Sequence, residues 1–89
     1  MLRIEKEIAG PRLILRLIGR LHSEHLGELR EKVRGETSRF LVLDLADVHL
    51  VDLHSIRFLC DCQDQKIELH NCAPYILEWM RRERAEESR

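Results

Sequence analysis

No apolar run in the chain approaches the roughly 18–20 residues that a bilayer-spanning helix needs. The first eight residues, Met-Leu-Arg-Ile-Glu-Lys-Glu-Ile, alternate charged with apolar side chains and lack the continuous apolar segment of a signal peptide. A soluble, cytoplasmic protein with no membrane partner is expected. Charge of one sign is also missing: 15 basic and 16 acidic residues leave a formal net charge of −1, so no strong field is available to draw in nucleic acid or anionic lipid. Three cysteines, Cys60, Cys62 and Cys72, make an odd number and imply reduced thiols rather than a disulfide framework. There is no Gly-rich phosphate loop, no Ser-His-Asp arrangement on a strand-turn-helix elbow and no credible metal set, so neither an enzyme nor a cofactor is expected. Repeats, low-complexity tracts and a linker to a second domain are absent as well. With 89 residues in one small domain, about 60–65% of the unfolded chain's surface can be buried, which leaves little room for a deep active site.

The stretch from Phe40 to Leu59 organises the rest. Phe40 to Leu45 is apolar at every position but Asp44, the pattern of a central strand covered by helices on at least one side. From Asp52 onward Leu53, Ile56, Leu59 and Cys60 recur at three- and four-residue spacing, which predicts a helix with Asp52 as its N-cap, ending near Asp64. The crevice beyond the C-terminal end of such a strand is where open α/β sheets usually receive ligands and partners.

Leu2, Ile4 and Ile8 alternate with charged residues, and Leu13, Leu15 and Leu17 repeat the pattern after Ala9-Gly10-Pro11, which predicts an antiparallel hairpin. Ile14 and Ile18 add apolar groups to the second strand's other face and make it the inner one. Ser23 reads as the N-cap of a first helix carrying Leu26, Leu29 and Val33, with Gly35 as its stop and Glu36 to Arg39 as the connector. Ile67 and Leu69 form a short strand, parallel to the central one through a right-handed crossover. Asn71-Cys-Ala-Pro74 opens a last helix whose apolar stripe is Ala73, Ile76, Leu77 and Met80, while Tyr75 and Trp79 point away from it towards water. Residues 1–80 make the domain, and the charged residues 81–89 form a helix end or tail that frays. The order is β-β-α-β-α-β-α, an α/β fold with helices packed on a four-stranded mixed sheet.

That order, with Leu41-Val-Leu-Asp-Leu-Ala-Asp-Val-His-Leu-Val-Asp-Leu-His-Ser-Ile-Arg-Phe-Leu59 at its centre, resembles the STAS domain of bacterial anti-sigma-factor antagonists and sulfate-transporter tails. Matches to the family pattern fall at Val42, Leu43, Asp44, Leu45, Val48, Val51, Asp52, Ile56 and Leu59, and Ile67 to Trp79 is similar to the closing strand and helix of a compact variant. The family's regulatory members carry Asp-Ser-Ser-Gly, with the second serine phosphorylated. This chain has Asp52-Leu53-His54-Ser55, so His54 takes the phosphoacceptor's place and Ser55 the glycine's. The resemblance implies a protein-docking module whose partner is an anti-sigma factor or a histidine-kinase-like regulator. Asp44, Asp52, His54, Ser55 and Arg57 are the candidate contact residues, and Ser55, in the first helical turn, is a candidate phosphoacceptor.

Other readings stand beside that one. Asp52 as a plain helix cap and Asp44 as an exposed strand end need no partner. Tyr75 and Trp79 are candidate anchors of a homodimer, or they close the end of a small core. Cys60, Cys62 and Cys72 invite a thiol- or metal-sensing reading, but one residue between two helical cysteines turns them about 200° apart, and buried free thiols account for them better. His22, His25, His49 and His54 read as surface residues.

Overall fold

The sheet begins with a hairpin that its own alternation dictates. In the computed structural model, which describes residues 2–35 and 40–87, β1 (Leu2–Ala9) runs antiparallel to β2 (Arg12–Leu21). Gly10, at φ +62°, occupies the first position of the two-residue turn, where a left-handed backbone is required. Next come α1 (Ser23–Arg34), β3 (Phe40–Val51), α2 (Leu53–Asp64), β4 (Glu68–His70) and α3 (Pro74–Glu87). The sheet order is β1-β2-β3-β4, with β3 parallel to both neighbours. This is the predicted four-stranded mixed sheet, with β1 at its edge and β2 inside. The connector at residues 36–39 lies outside the described residues.

The period of two sorts the side chains between faces. Leu13, Leu15 and Leu17 of β2 and Leu41, Leu43 and Leu45 of β3 lie on the face that all three helices cover, packed with Leu26, Leu29, Ile56, Leu59, Ile76 and Met80. Burying one such leucine contributes about 2 kcal/mol. On the other face, charges run across the strands: Arg3 pairs with Glu5 at 3.0 Å, and Arg16 lies 3.7 Å from both Glu5 and Asp44. Arg12 of β2 reaches Glu68 of β4, 3.9 Å away, across β3. Val42, fully buried, lies on this face too, outside the cluster that the helices cover.

Helix α2 lies between the other two, and six of its 12 residues are buried: Ser55, Ile56, Phe58, Leu59, Cys60 and Cys62. Two expectations about α1 change. His22, not Ser23, is its N-cap, and it makes no side-chain capping bond. Gly35 closes the helix at φ −72°, an ordinary right-handed angle, so it ends α1 without the left-handed turn that glycine usually supplies.

α3 departs further from its predicted stripe. Ile76, Met80 and Glu83 are its buried residues, Trp79 is half-buried against the core, and Leu77 is 47% exposed. Helical spacing puts residues 76, 80 and 83 on one line, which leaves Leu77 outside and brings Trp79 to its flank. The helix also continues through the residues expected to fray, up to Glu87. Glu83 accepts from Arg57 Nε at 3.1 Å, and Arg84 donates to Cys60 O, Gln63 Oε1 and Asp64 Oδ1 at 2.9–3.0 Å. Those bonds fasten the charged segment to α2 through Glu83 and Arg84.

Candidate functional site at the strand-to-helix edge

β4 covers only part of its neighbour. It pairs with Val42, Leu43 and Asp44, and beyond them β3 has no strand partner on that side among the described residues. Against β2 the register slips twice: Arg16 to Ile18 spans Asp44 to Asp47, and Gly19 to Arg20 spans Val48 to Leu50. Each slip inserts one extra residue into β3, a bulge that bends the strand and re-aims its side chains. Gly19, between the two slips, takes φ +109°, which a residue with a Cβ adopts only under strain. The result is a bent strand end that leaves Asp47, His49 and Leu50 exposed.

Asp52 follows at once and caps α2 as predicted, with an extended backbone at φ −114°, ψ 176°. Its Oδ1 accepts from the Ser55 N–H at 2.9 Å, and its Oδ2 accepts from the Ser23 N–H at 2.9 Å. One carboxylate therefore stands at the N-termini of two helices, where unpaired N–H groups and the helix dipoles both favour negative charge. The Ser55 hydroxyl lies 2.7 Å from Leu21 O and 2.8 Å from Asp52 Oδ1, and its single proton serves one acceptor at a time. The end of β2 and the starts of α1 and α2 are tied at this node. Partial burial pushes the Asp52 carboxyl upward, but the hydrogen bonds from Ser23 and Ser55, helped by His22, outweigh it and hold the pKa at about 2.

Ser55 is 0% exposed. It does lie in the first turn, but facing inward, so that a kinase would reach this hydroxyl only by opening the node. His54, one residue earlier, is exposed, as is Leu53. Leu53 belongs to the apolar spacing that predicts α2. By angle it belongs to the buried face of α2, but a helical side chain leans towards the N-terminus and covers ground ahead of its own Cα, and here that ground lies beyond the core. Leu50, at 46% exposed, was not singled out from the sequence at all. Its apolar character inside a strand pattern carries no sign that a bulge turns it outward.

The other candidate contacts do not join this node. Asp44 accepts from the Ala46 N–H at 3.0 Å and from Asn71 Nδ2 at 3.1 Å, on the face opposite the helices. The Ala46 bond above all holds its pKa below the usual carboxylate range, against some burial, and Asn71 and Arg16 add to the effect. It braces the first bulge and the turn into α3. Arg57 leaves α2 towards α3 and is engaged by Glu83.

Tyr75, 50% exposed, borders a shallow groove along α3 with Glu78, Trp79 and Arg82. Cys60 and Cys62 are buried and Cys72 half-buried, all as free thiols. Burial pushes the Cys62 thiol up to about 12. No group of three or more His, Cys, Asp or Glu side chains among the described residues is arranged to hold a metal ion, and no helix among them is long and apolar enough to cross a membrane. His49 is exposed as expected, whereas His22 and His25 are half-buried, and His25 Nε2 is enclosed without a hydrogen-bond partner among the described residues.

No protein-family model matches the chain, and no curated protein does. Solved structures do. A protein named Mglu superposes with a TM-score of 0.60 at 21% identity, over 74% of this chain and 18% of its own. A DUF3478-family protein with a SpoIIAA-like fold, from Shewanella loihica PV-4, superposes with a TM-score of 0.55 at 14% identity, over 76% of this chain and 61% of its own. This chain thus spans less than two thirds of either relative's length. At such identities the likeness speaks for architecture: the chain has a SpoIIAA-like, that is STAS-like, α/β fold.

Proposed function

We propose that the domain is a non-catalytic docking module that receives a partner protein at the strand-to-helix edge, the partner being a regulator such as an anti-sigma factor or a histidine-kinase-like protein. The observation that carries this reading is the pairing of a fixed node with an exposed rim. Asp52 and Ser55 tie three chain segments together, while Leu50, Leu53 and His54 stand exposed around them. A rigid edge presenting apolar and imidazole groups suits recognition, since little order has to be imposed on binding. It does not suit catalysis by these residues: both Asp52 oxygens are occupied by backbone donors, and Ser55 is sealed from solvent. The node is scaffold, and the contact residues are those around it.

Pull-down from the native cell followed by mass spectrometry tests the proposal. Leu53→Glu and His54→Glu, on a fold whose thermal melt is unchanged, are expected to lose the captured partner, and Tyr75→Ala is expected to keep it. A partner retained by both edge variants would place docking elsewhere.

A second reading, self-association through α3, is favoured by the exposure of Tyr75 and Leu77 on that helix. It predicts a dimer in sedimentation that Tyr75→Ala dissociates.

A further inference from the structure

The end of the molecule opposite the docking edge holds a cleft that the proposed function does not use. It opens between the later turns of α1 and α2, where β3 begins and β4 is about to, and its volume is about 430 Å³. Small-molecule sites range from about 300 to 1,000 Å³ and combine an apolar lining with a few polar groups. The apolar lining here comes from Val33, Leu41, Phe58 and Ile67, the last three more than nine-tenths buried.

The charged groups at the same cleft are Arg30, Arg34 and Lys66, with Asp61 as the one acid among its lining residues. Arg34 is bonded to Glu31 at 3.0 Å. Arg30 instead stacks on Phe58, its guanidinium carbon 5.0 Å from the ring centroid. Neither Arg30 nor Lys66 forms an ion pair with a carboxylate among the described residues. Arg30 leans on an apolar wall with its charge directed at the cleft: its field reaches the Cys62 thiol in the lining and opposes the effects of burial and of Asp61 there. Two cations that form no ion pair with a carboxylate of the described residues, beside an apolar floor, complement a molecule with one anionic group and an apolar body.

We propose that this cleft binds a small, free organic anion with an apolar body, its charged head held by Arg30 and Lys66 and its body laid against Phe58, Leu41 and Ile67. The class is that of medium-chain or aromatic carboxylates. Guanidinium and ammonium groups each form charge-assisted hydrogen bonds to such a head, stronger than those between neutral partners. The site lies at the N-terminal ends of the parallel strands, whereas the docking edge lies at the C-terminal ends where open sheets usually bind. It is independent of the docking proposal.

Titration of the ¹⁵N-labelled full chain with sodium octanoate tests this, with 1-octanol as the uncharged probe and anionic phospholipid vesicles as the membrane probe. Octanoate is expected to give saturable shifts confined to amides of residues 30–34, 40–41 and 58–67, with octanol binding about tenfold more weakly. Arg30→Gln and Lys66→Glu are each expected to weaken octanoate about tenfold while leaving the amide spectrum folded, and Arg82→Glu, on α3, is expected to change nothing. Because both side chains project from the surface, the two substitutions give independent chances of a folded variant. Absence of saturable shifts, equal binding of octanol and octanoate, indifference to both substitutions, or binding to vesicles in place of free octanoate would each overturn the proposal.

Discussion

Asp52 accepts a hydrogen bond from the backbone of Ser23, 29 residues earlier in the chain, at 2.9 Å. Through that bond the cap of α2 also serves α1, whose own N-cap, His22, contributes no side chain to the task. The two helices therefore share one electrostatic anchor at the edge proposed for docking.

Asp52→Ala removes the anchor from both helices at once. A single N-cap is worth about 1 kcal/mol, so a loss of about 2 kcal/mol is expected in urea unfolding at pH 7. The acid limb carries the same signature. Asp52 is held at about 2 in the folded protein against 3.8 unfolded, so the unfolded chain binds the proton first. The stability due to this carboxylate is complete above the unfolded value and is lost as pH falls from 3.8 towards 2. Asp52→Asn should flatten the fall across that window. Part of the slope should remain, because Asp44 is displaced in the same direction.

Ser55→Ala should cost about 1–2 kcal/mol by the same measurement, since it removes the one hydroxyl proton available to the buried Leu21 carbonyl or to Asp52 Oδ1. Ser55→Glu places an unpaired charge where no solvent reaches, and the expected outcome is an unfolded chain in circular dichroism. Intact-mass analysis of protein from its native cell should show no phosphate on Ser55.

The element order and the inner place of β2 follow from local periodicity, and so does the Asp52 cap of α2. The second role of Asp52 does not, because nothing near Ser23 in the chain announces a donor meeting an acceptor 29 positions away. The inward turn of Ser55 is hidden for a related reason. Serine in a first helical turn suits solvent as well as a buried carbonyl, and only the position of Leu21 decides between them. On α3 the composition misleads: a run of Arg and Glu reads as solvated, yet Glu83 is buried because Arg57 and the flank of α2 meet it there. Leu53 fits the apolar spacing of α2 and is exposed all the same, because periodicity reports which way a side chain points and not whether anything lies there.

Reactivity of the thiols separates packing from sensing. At a pKa of about 12 the Cys62 thiol is ionised to about one part in 10⁵ at pH 7, and both it and Cys60 are buried in the core. Cys72 is only half-buried, although burial raises its thiol too. An aromatic disulfide reagent should therefore modify at most one thiol of the native protein quickly, at Cys72, and all three after denaturation. Rapid modification of Cys60 and Cys62 in the folded state would revive the sensing role.

Tyr75 and Trp79 look equivalent in the sequence, and the structure separates them. Trp79 packs partly against the core, so Trp79→Ala leaves a gap there, with an expected loss of about 1–3 kcal/mol, less than for a fully buried tryptophan. Tyr75 is half exposed and absent from that packing, so Tyr75→Ala should leave the melting temperature of a monomer unchanged. Melting at two protein concentrations distinguishes the roles. If the α3 face joins two copies, wild-type stability rises with concentration and Tyr75→Ala abolishes the rise. If it does not, both melts are independent of concentration and only Trp79→Ala shifts them, because its aromatic ring then acts within one chain.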